Sequence, residues 1–159
     1  MLRVGDISTN NARRYPHKRA LVDAGRVHTW SQVDERARRL ANFVRSRGLM
    51  PGDRVMVIAR NCIEWPEIAF GLAKAGLITV PVNIRLAPDE VAHIRDDSGA
   101  RAAIIHADHM AKFLGELTDM SLVLGIGARR ELGDNALVTD YETALAGVWS
   151  SAPDVGVSP

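Results

Sequence analysis

Four short apolar runs, separated by segments with helical spacing, constrain the fold of this chain most. The runs lie at residues 55–59, 77–80, 102–105 and 122–124, and the second is interrupted by Thr79. Continuous apolar runs of this length are typical of strands that are buried on both faces. Because the intervening segments have the spacing of helices, the pattern predicts βαβ units. We therefore expect an α/β protein with a mostly parallel sheet and helices on both of its faces, a three-layer αβα fold.

Ahead of these runs, the sequence predicts an N-terminal β-hairpin and a long helix. Residues 20–23 and 27–30 flank a turn at Gly25, which can take the positive φ that a tight hairpin needs. Thr29 and Gln32 have the spacing of a capping box, in which each side chain bonds the backbone N–H of the other residue. Further helices are predicted at residues 7–14, 64–75, 88–99 and 108–114.

A chain of 159 residues suits one ordinary domain. We predict an α/β subdomain over residues 1–128. Residues 129–159 are expected to form a weakly structured connection, with a short helix at 141–146. This division follows the loss of the strand–helix pattern after residue 128.

Composition argues against several classes of function. The net charge is +1 and aromatic residues make up 5%, which predicts no nucleic-acid partner. No run approaches the roughly 20 apolar residues of a membrane span, and the N-terminus lacks a signal-peptide pattern. The one cysteine, Cys62, cannot form an intramolecular disulfide, which fits a reducing compartment. We therefore expect a cytoplasmic protein without a membrane span.

The motifs that usually carry chemistry are incomplete. Gly125-Ile126-Gly127 follows a predicted strand, but Arg130 stands where a dinucleotide fingerprint needs its third glycine. His106 and His109 have helical spacing, but zinc takes three or four ligands. The sequence thus favours a polar strand-to-helix turn over a zinc site there.

Cys62 and the arginines of the helix after Thr29 are predicted to have structural and not chemical roles. Cys62 has no neighbouring histidine or cationic cluster that would activate a thiol. The helix after Thr29 is rich in arginine, which favours a solvated face over an anion-binding patch, and DNA binding by this helix is a weaker hypothesis. Its arginines are Arg36, Arg38, Arg39, Arg45 and Arg47. Pattern alone therefore reaches an α/β domain without an assigned function.

Two stretches resemble the first two core motifs of the adenylate-forming enzymes. The first runs from Thr29-Trp30-Ser31-Gln32-Val33 to residues 48–55, and the second comprises residues 61–65, 71–76 and 80–86. The similarity extends over roughly residues 5–125. Asn83, with Arg85 and Leu86 after it, resembles the acyl-CoA synthetase branch more than the peptide-synthetase branch. The chain is thus expected to be a fragment of the large N-terminal domain of the adenylate-forming fold.

The resemblance implies an AMP-forming acid–thiol ligase as the full-length protein. A small-molecule carboxylic acid would react with ATP, assisted by Mg²⁺, to give acyl-AMP and pyrophosphate, and CoA would then displace AMP. The resemblance also implies that Arg85 lies near the CoA phosphates. The alternative role for Arg85 is a surface ion pair. No catalytic or metal-binding residue is expected within these 159 residues.

The family's phosphate-binding loop, ribose-binding aspartate and catalytic lysine have no counterpart in this sequence. We therefore expect the chain alone to be inactive and to bind none of the cofactors. Its partner would be the remainder of its own chain, and the apolar surface left exposed would favour self-association. The alternative is a non-enzymatic α/β binding or scaffold module, or a gene remnant.

Overall fold

The computed structural model describes residues 3–128 and 137–151, which form two compact units. Unit 1 comprises the described residues within 3–52, 61–77 and 148–151. Unit 2 comprises the described residues within 53–60, 78–128 and 137–147.

Unit 1 contains three helices and the predicted hairpin. The helices are α1 (Val4–Arg14), α2 (Trp30–Ser46) and α3 (Glu64–Lys74). The hairpin pairs β1 (Arg19–Asp23) with β2 (Arg26–Thr29) in antiparallel register. Its turn has positive φ at both central residues, which is typical of the turns that match the right-handed twist of a hairpin. The hairpin prediction is therefore confirmed.

Helix α2 begins at the predicted capping box. The Gln32 amide N–H donates to Thr29 Oγ1 at 3.4 Å, and the Gln32 side chain accepts from the Thr29 N–H at 2.8 Å. An apolar stripe at helical spacing then faces the interior of unit 1. Its fully buried members are Val33, Ala37, Leu40, Ala41 and Val44.

Helices α2 and α3 pack closely at Gly71. A β-carbon placed there would lie 3.0 Å from the Ala37 carbonyl oxygen and 2.9 Å from a methyl group of Leu40. A side chain at this position would therefore collide with α2 and force the two packed helices apart.

We expect Gly71→Val to lower the free energy of unfolding by about 1–3 kcal/mol, the usual range for overpacking. Urea denaturation would measure the change. The control is Gly115→Val, because a β-carbon at Gly115 meets no atom within 4 Å. If both variants lost the same stability, the close packing at Gly71 would not be the cause.

Unit 2 is built on a five-stranded parallel sheet. Its strands are β3 (Arg54–Ile58), β4 (Ile78–Pro81), β5 (Ala102–His106), β6 (Leu122–Ile126) and β7 (Val138–Asp140). They lie in the order β4-β3-β5-β6-β7, and every neighbouring pair is parallel. The four predicted strands and the parallel sheet are confirmed, whereas β7 was not predicted. The prediction that the strand at 77–80 is buried on both faces is wrong, because β4 lies at the edge of the sheet and its Ile78 is 47% exposed.

Three helices accompany this sheet: α4 (Pro88–Ser98), α5 (Ala107–Phe113) and α6 (Tyr141–Ala146). The bounds of α6 match the predicted short helix. Helix α5 begins at Ala107, one residue before the start of the predicted range 108–114. The residue that caps this helix is His106, whose Nδ1 accepts from the Asp108 N–H at 3.3 Å, so Asp108 lies in the first turn.

One set of buried side chains in unit 2 forms an apolar cluster on the sheet and its helices. Its members are Met56, Ile58, Val82, Val91, Ala103, Ile105, Met110, Phe113, Leu117, Met120, Val123, Ala128 and Val138. Within the predicted connection, β7 pairs with β6 and belongs to unit 2. Residues 129–136 and 152–159 lie outside the described residues. The predicted division at residue 128 and the three-layer arrangement stay predictions.

Candidate anion-binding site at the carboxyl edge of the sheet

Parallel pairing places the carboxyl ends of all five strands at one edge of the unit 2 sheet. In open α/β sheets, ligands bind in the loops that leave this edge. The loops after β3 and β4 carry Arg60 and Arg85, and His106 is the last residue of β5. The predicted CoA-binding residue therefore lies at the edge where such folds hold their ligands.

Arg85 lies in a tight turn between β4 and α4. The Asn83 side-chain oxygen accepts from the Arg85 N–H at 3.0 Å, and the Asn83 carbonyl accepts from the Leu86 N–H at 3.2 Å. Ile84 and Leu86 pack against the apolar cluster, whereas Arg85 is exposed. No described residue pairs with its guanidinium. The turn thus directs a cation with unused hydrogen-bond donors toward solvent.

The side chain of Lys112 in α5 forms hydrogen bonds to the backbone of this turn. Its ammonium donates to the carbonyl oxygens of Ile84 at 3.3 Å and Leu86 at 2.6 Å, one on each side of Arg85. The ammonium also lies 4.6 Å from the centre of the Phe113 ring, which is fully buried. Lys112 was not predicted from the sequence. Its acceptors are backbone carbonyls more than 20 residues away, and a backbone carbonyl does not depend on the residue type that carries it.

Arg60, after β3, and the polar residues where β5 meets α5 contact each other. Arg60 forms an ion pair with Asp108, and His106 Nδ1 lies 3.5 Å from the same carboxylate. The rings of His106 and His109 are 6.3 Å apart, and burial lowers the pKa of His109. Within residues 3–128 and 137–151, no three His, Cys, Asp or Glu side chains are grouped so as to hold a metal ion.

Gly125, within β6, and Gly127, just after it, have structural roles. A β-carbon at Gly125 would lie 2.5 Å from both Ala128 and Met110, so only glycine fits the sheet here. Gly127 has a φ of +69°, which suits the turn that follows. Arg130, on which the argument against a dinucleotide fingerprint rests, lies outside the described residues.

The arginines of α2 are used within unit 1. Arg36 donates to Glu67 at 2.8 Å, Arg38 lies 3.3 Å from Asp34, and Arg39 pairs with Glu35 at 2.8 Å. Arg45 donates to the Leu49 carbonyl, and Arg47 lies over the Phe43 ring. This helix is therefore neither a purely solvated face nor an open anion-binding patch, since two of its arginines neutralise buried carboxylates.

Those buried carboxylates differ in how well their charge is compensated. Burial raises the pKa of Glu67 even though Arg36 and His28 contact it. Burial also disfavours the charge on Asp34, but hydrogen bonds from Lys74 and Ser8 outweigh it and hold the pKa of Asp34 below its ordinary value. These groups bind α2 to α1, α3 and the hairpin, which is a structural role.

Cys62 has the environment of an inert thiol. Burial, together with the neighbouring Glu64 carboxylate, raises the pKa of the Cys62 thiol to about 11. Hydrogen bonds, chiefly from Arg26, overcome the burial of Glu64 and hold the pKa of that carboxyl below its ordinary value, so a negative charge stays beside the sulfur. The side chain thus carries very little thiolate at neutral pH, which makes it a poor nucleophile.

We expect Cys62 to react with iodoacetamide at pH 8 about tenfold more slowly in the native protein than in urea. With a pKa of about 11 in place of 9.0, the thiolate is about 100-fold scarcer, and its higher intrinsic nucleophilicity recovers about tenfold. Glu64→Gln should speed the native reaction, because it removes the neighbouring charge. Equal rates in native and unfolded protein would contradict this account. The reaction is specific, since the chain has one cysteine.

The parallel sheet, with Arg85 exposed in the turn after β4, defines an α/β protein. The family model described as AMP-binding enzyme matches residues 8–150. The chain belongs to this family, as its resemblance to the adenylate-forming enzymes predicted.

Individual relatives are acid ligases. The chain is 41% identical over 57% of its length to the fatty acid–[acyl-carrier-protein] ligase ScoC of Streptomyces coeruleorubidus, covering 18% of that protein. It is 32% identical over 91% of its length to the 3-oxocholest-4-en-26-oate–CoA ligase of Rhodococcus rhodochrous, covering 27% of it. The chain thus spans about a quarter or less of the length of these two relatives.

A solved structure supports the fold. The fatty acyl CoA synthetase of Mycobacterium tuberculosis matches with a TM-score of 0.76 and 26% identity, over 99% of this chain and 30% of that one. The α/β fold with a parallel sheet and an N-terminal hairpin is therefore confirmed. Among the described helices, none is long and apolar enough to cross a membrane.

Proposed function

We propose that the full-length protein containing this chain is an ATP-dependent acyl-CoA synthetase. A carboxylate oxygen attacks the α-phosphorus of ATP, forming acyl-AMP and releasing pyrophosphate. The thiol sulfur of CoA then attacks the acyl carbonyl carbon, and AMP leaves. Membership of the AMP-binding family and the ligase names of the relatives support this reaction.

The part of the reaction that this chain would serve is the binding of CoA. The observation that supports this role is Arg85, an exposed cation in a hydrogen-bonded turn at the carboxyl edge of the sheet. Its guanidinium can form two parallel hydrogen bonds to a phosphate group. Arg85 would thus hold a phosphate of the CoA nucleotide, away from the reacting thiol.

ATP and Mg²⁺ belong to the proposed full-length enzyme. Mg²⁺ would offset the charge of the ATP phosphates. Since the described residues contain no group suited to hold a metal ion, we assign no step through Mg²⁺ to this chain. We likewise propose that the substrate is a small-molecule carboxylic acid, that the remainder of the protein is the partner of this chain, and that the protein is cytoplasmic.

One relative favours a second candidate for the thiol that accepts the acyl group. Its name gives an acyl-carrier protein in place of CoA. Both acceptors present a thiol on a phosphopantetheine arm, but only CoA carries an adenosine nucleotide. Arg85 offers a way to distinguish them, because a contact to the nucleotide matters for CoA alone.

We expect Arg85→Ala in the full-length enzyme to raise the KM for CoA about tenfold. A tenfold change corresponds to about 1.4 kcal/mol, a modest loss for a solvent-exposed contact between a guanidinium and a phosphate. The KM for pantetheine, which lacks the nucleotide, should not change. ATP–pyrophosphate exchange should also be unchanged, because it precedes the CoA step.

The matched control is Arg54→Ala, an exposed arginine at the amino end of β3 in the same sheet. An equal rise in KM for CoA and for pantetheine in Arg85→Ala would refute a nucleotide contact. An enzyme that uses acyl-carrier protein and not CoA would support the second acceptor.

We also propose that the 159-residue chain forms no acyl-AMP by itself. The family's phosphate-binding loop and catalytic lysine have no counterpart in its sequence. With ATP, Mg²⁺ and a panel of carboxylic acids, we expect no pyrophosphate above background, whereas the full-length enzyme should release it. Pyrophosphate release by the short chain would contradict this. An inactive full-length protein would instead favour the binding or scaffold module.

A further inference from the structure

The Arg85 turn is held at two independent points. Inside the turn, the Asn83 side chain accepts from the Arg85 N–H at 3.0 Å. From outside, the Lys112 ammonium contacts the carbonyl oxygens of Ile84 and Leu86. The backbone is therefore fixed on both sides of Arg85, while the guanidinium has no partner among the described residues.

Lys112 is itself well placed to hold this turn. It lies in the last turn of α5, whose Met110 and Phe113 are buried in the apolar cluster of unit 2. An ammonium has three donors and can serve two carbonyls at once. The turn after β4 is thus connected to a helix that follows β5, and movement of the turn would break both of these hydrogen bonds.

We propose that Lys112 is a positioning residue, which holds the backbone around Arg85 so that the guanidinium is presented to a phosphate of the incoming thiol substrate. This inference rests on the proposed function of Arg85. A cation on a mobile turn loses conformational freedom when it binds an anion, and prior fixing of the turn reduces that cost. Lys112 therefore acts through Arg85, without contact to the phosphate.

The test uses Lys112→Met, Lys112→Arg and Lys18→Met in the full-length enzyme. Lys18 is the matched control, because it is also an exposed lysine beside an aromatic ring, 5.4 Å from the centre of Tyr15. We expect Lys112→Met to raise the KM for CoA about fivefold, with the KM for pantetheine and ATP–pyrophosphate exchange unchanged. Lys112→Arg should restore most of the affinity, and Lys18→Met should resemble the unaltered enzyme.

A double substitution separates positioning from direct contact. If Lys112 acts through Arg85, Lys112→Met should add nothing in an Arg85→Ala background. An additional rise in KM for CoA in that background would overturn positioning, since Lys112 would then act on the ligand by itself. A thermal unfolding midpoint for each variant shows that the fold is retained.

The remaining outcomes distinguish the two proposals. If Arg85→Ala raises the KM for CoA and Lys112→Met does not, the positioning role is wrong and the Arg85 contact stands. If Arg85→Ala has no effect on CoA, the phosphate contact fails, and the positioning role fails with it. A KM for pantetheine that rises as much as that for CoA in Lys112→Met would also overturn the inference.

Discussion

The parallel pairing of β3 with both β4 and β5 is the constraint on which the candidate site depends. Val55 of β3 is in register with Thr79 on one side and Ala102 on the other, so β3 is a central strand. Its apolar run is consequently buried, and all three strands end at the same edge. Arg85 lies at the carboxyl edge of the sheet because of this topology, although the motif that contains it consists mostly of residues that pack or turn the chain.

In unit 1, the corresponding constraint is that buried carboxylates need partners. Asp34 and Lys74 lie 3.0 Å apart with little exposure, and the same ammonium donates to the Gly5 carbonyl at 2.7 Å. One cation therefore connects α1, α2 and α3. A buried ion pair of this kind adds little net stability, but removing one partner leaves a costly unpaired charge. This explains why arginines of α2, which the sequence predicted to lie on a solvated face, instead contact buried carboxylates within unit 1.

Features with a local signal were predictable from sequence, and features that depend on distant partners were not. The capping box at Thr29 and the buried run at 55–59 each lie within a few residues, and both predictions are confirmed. Strand β7 has only three residues, too few for a pattern, and it forms because β6 offers it an edge. The contact between Arg36 and Glu67 joins residues 31 apart, and no periodicity indicates it.

The candidate site combines both kinds of information. Resemblance to the family indicated Arg85, and the alternation of Ile84 and Leu86 into the apolar cluster explains why the residue between them is exposed. The Lys112 contact could not be read from sequence, since a lysine donates to any nearby carbonyl. Exposed hydrogen bonds of this kind add little to the stability of the fold. Their effect is larger on a binding group, because a fixed turn loses less entropy when the anion binds.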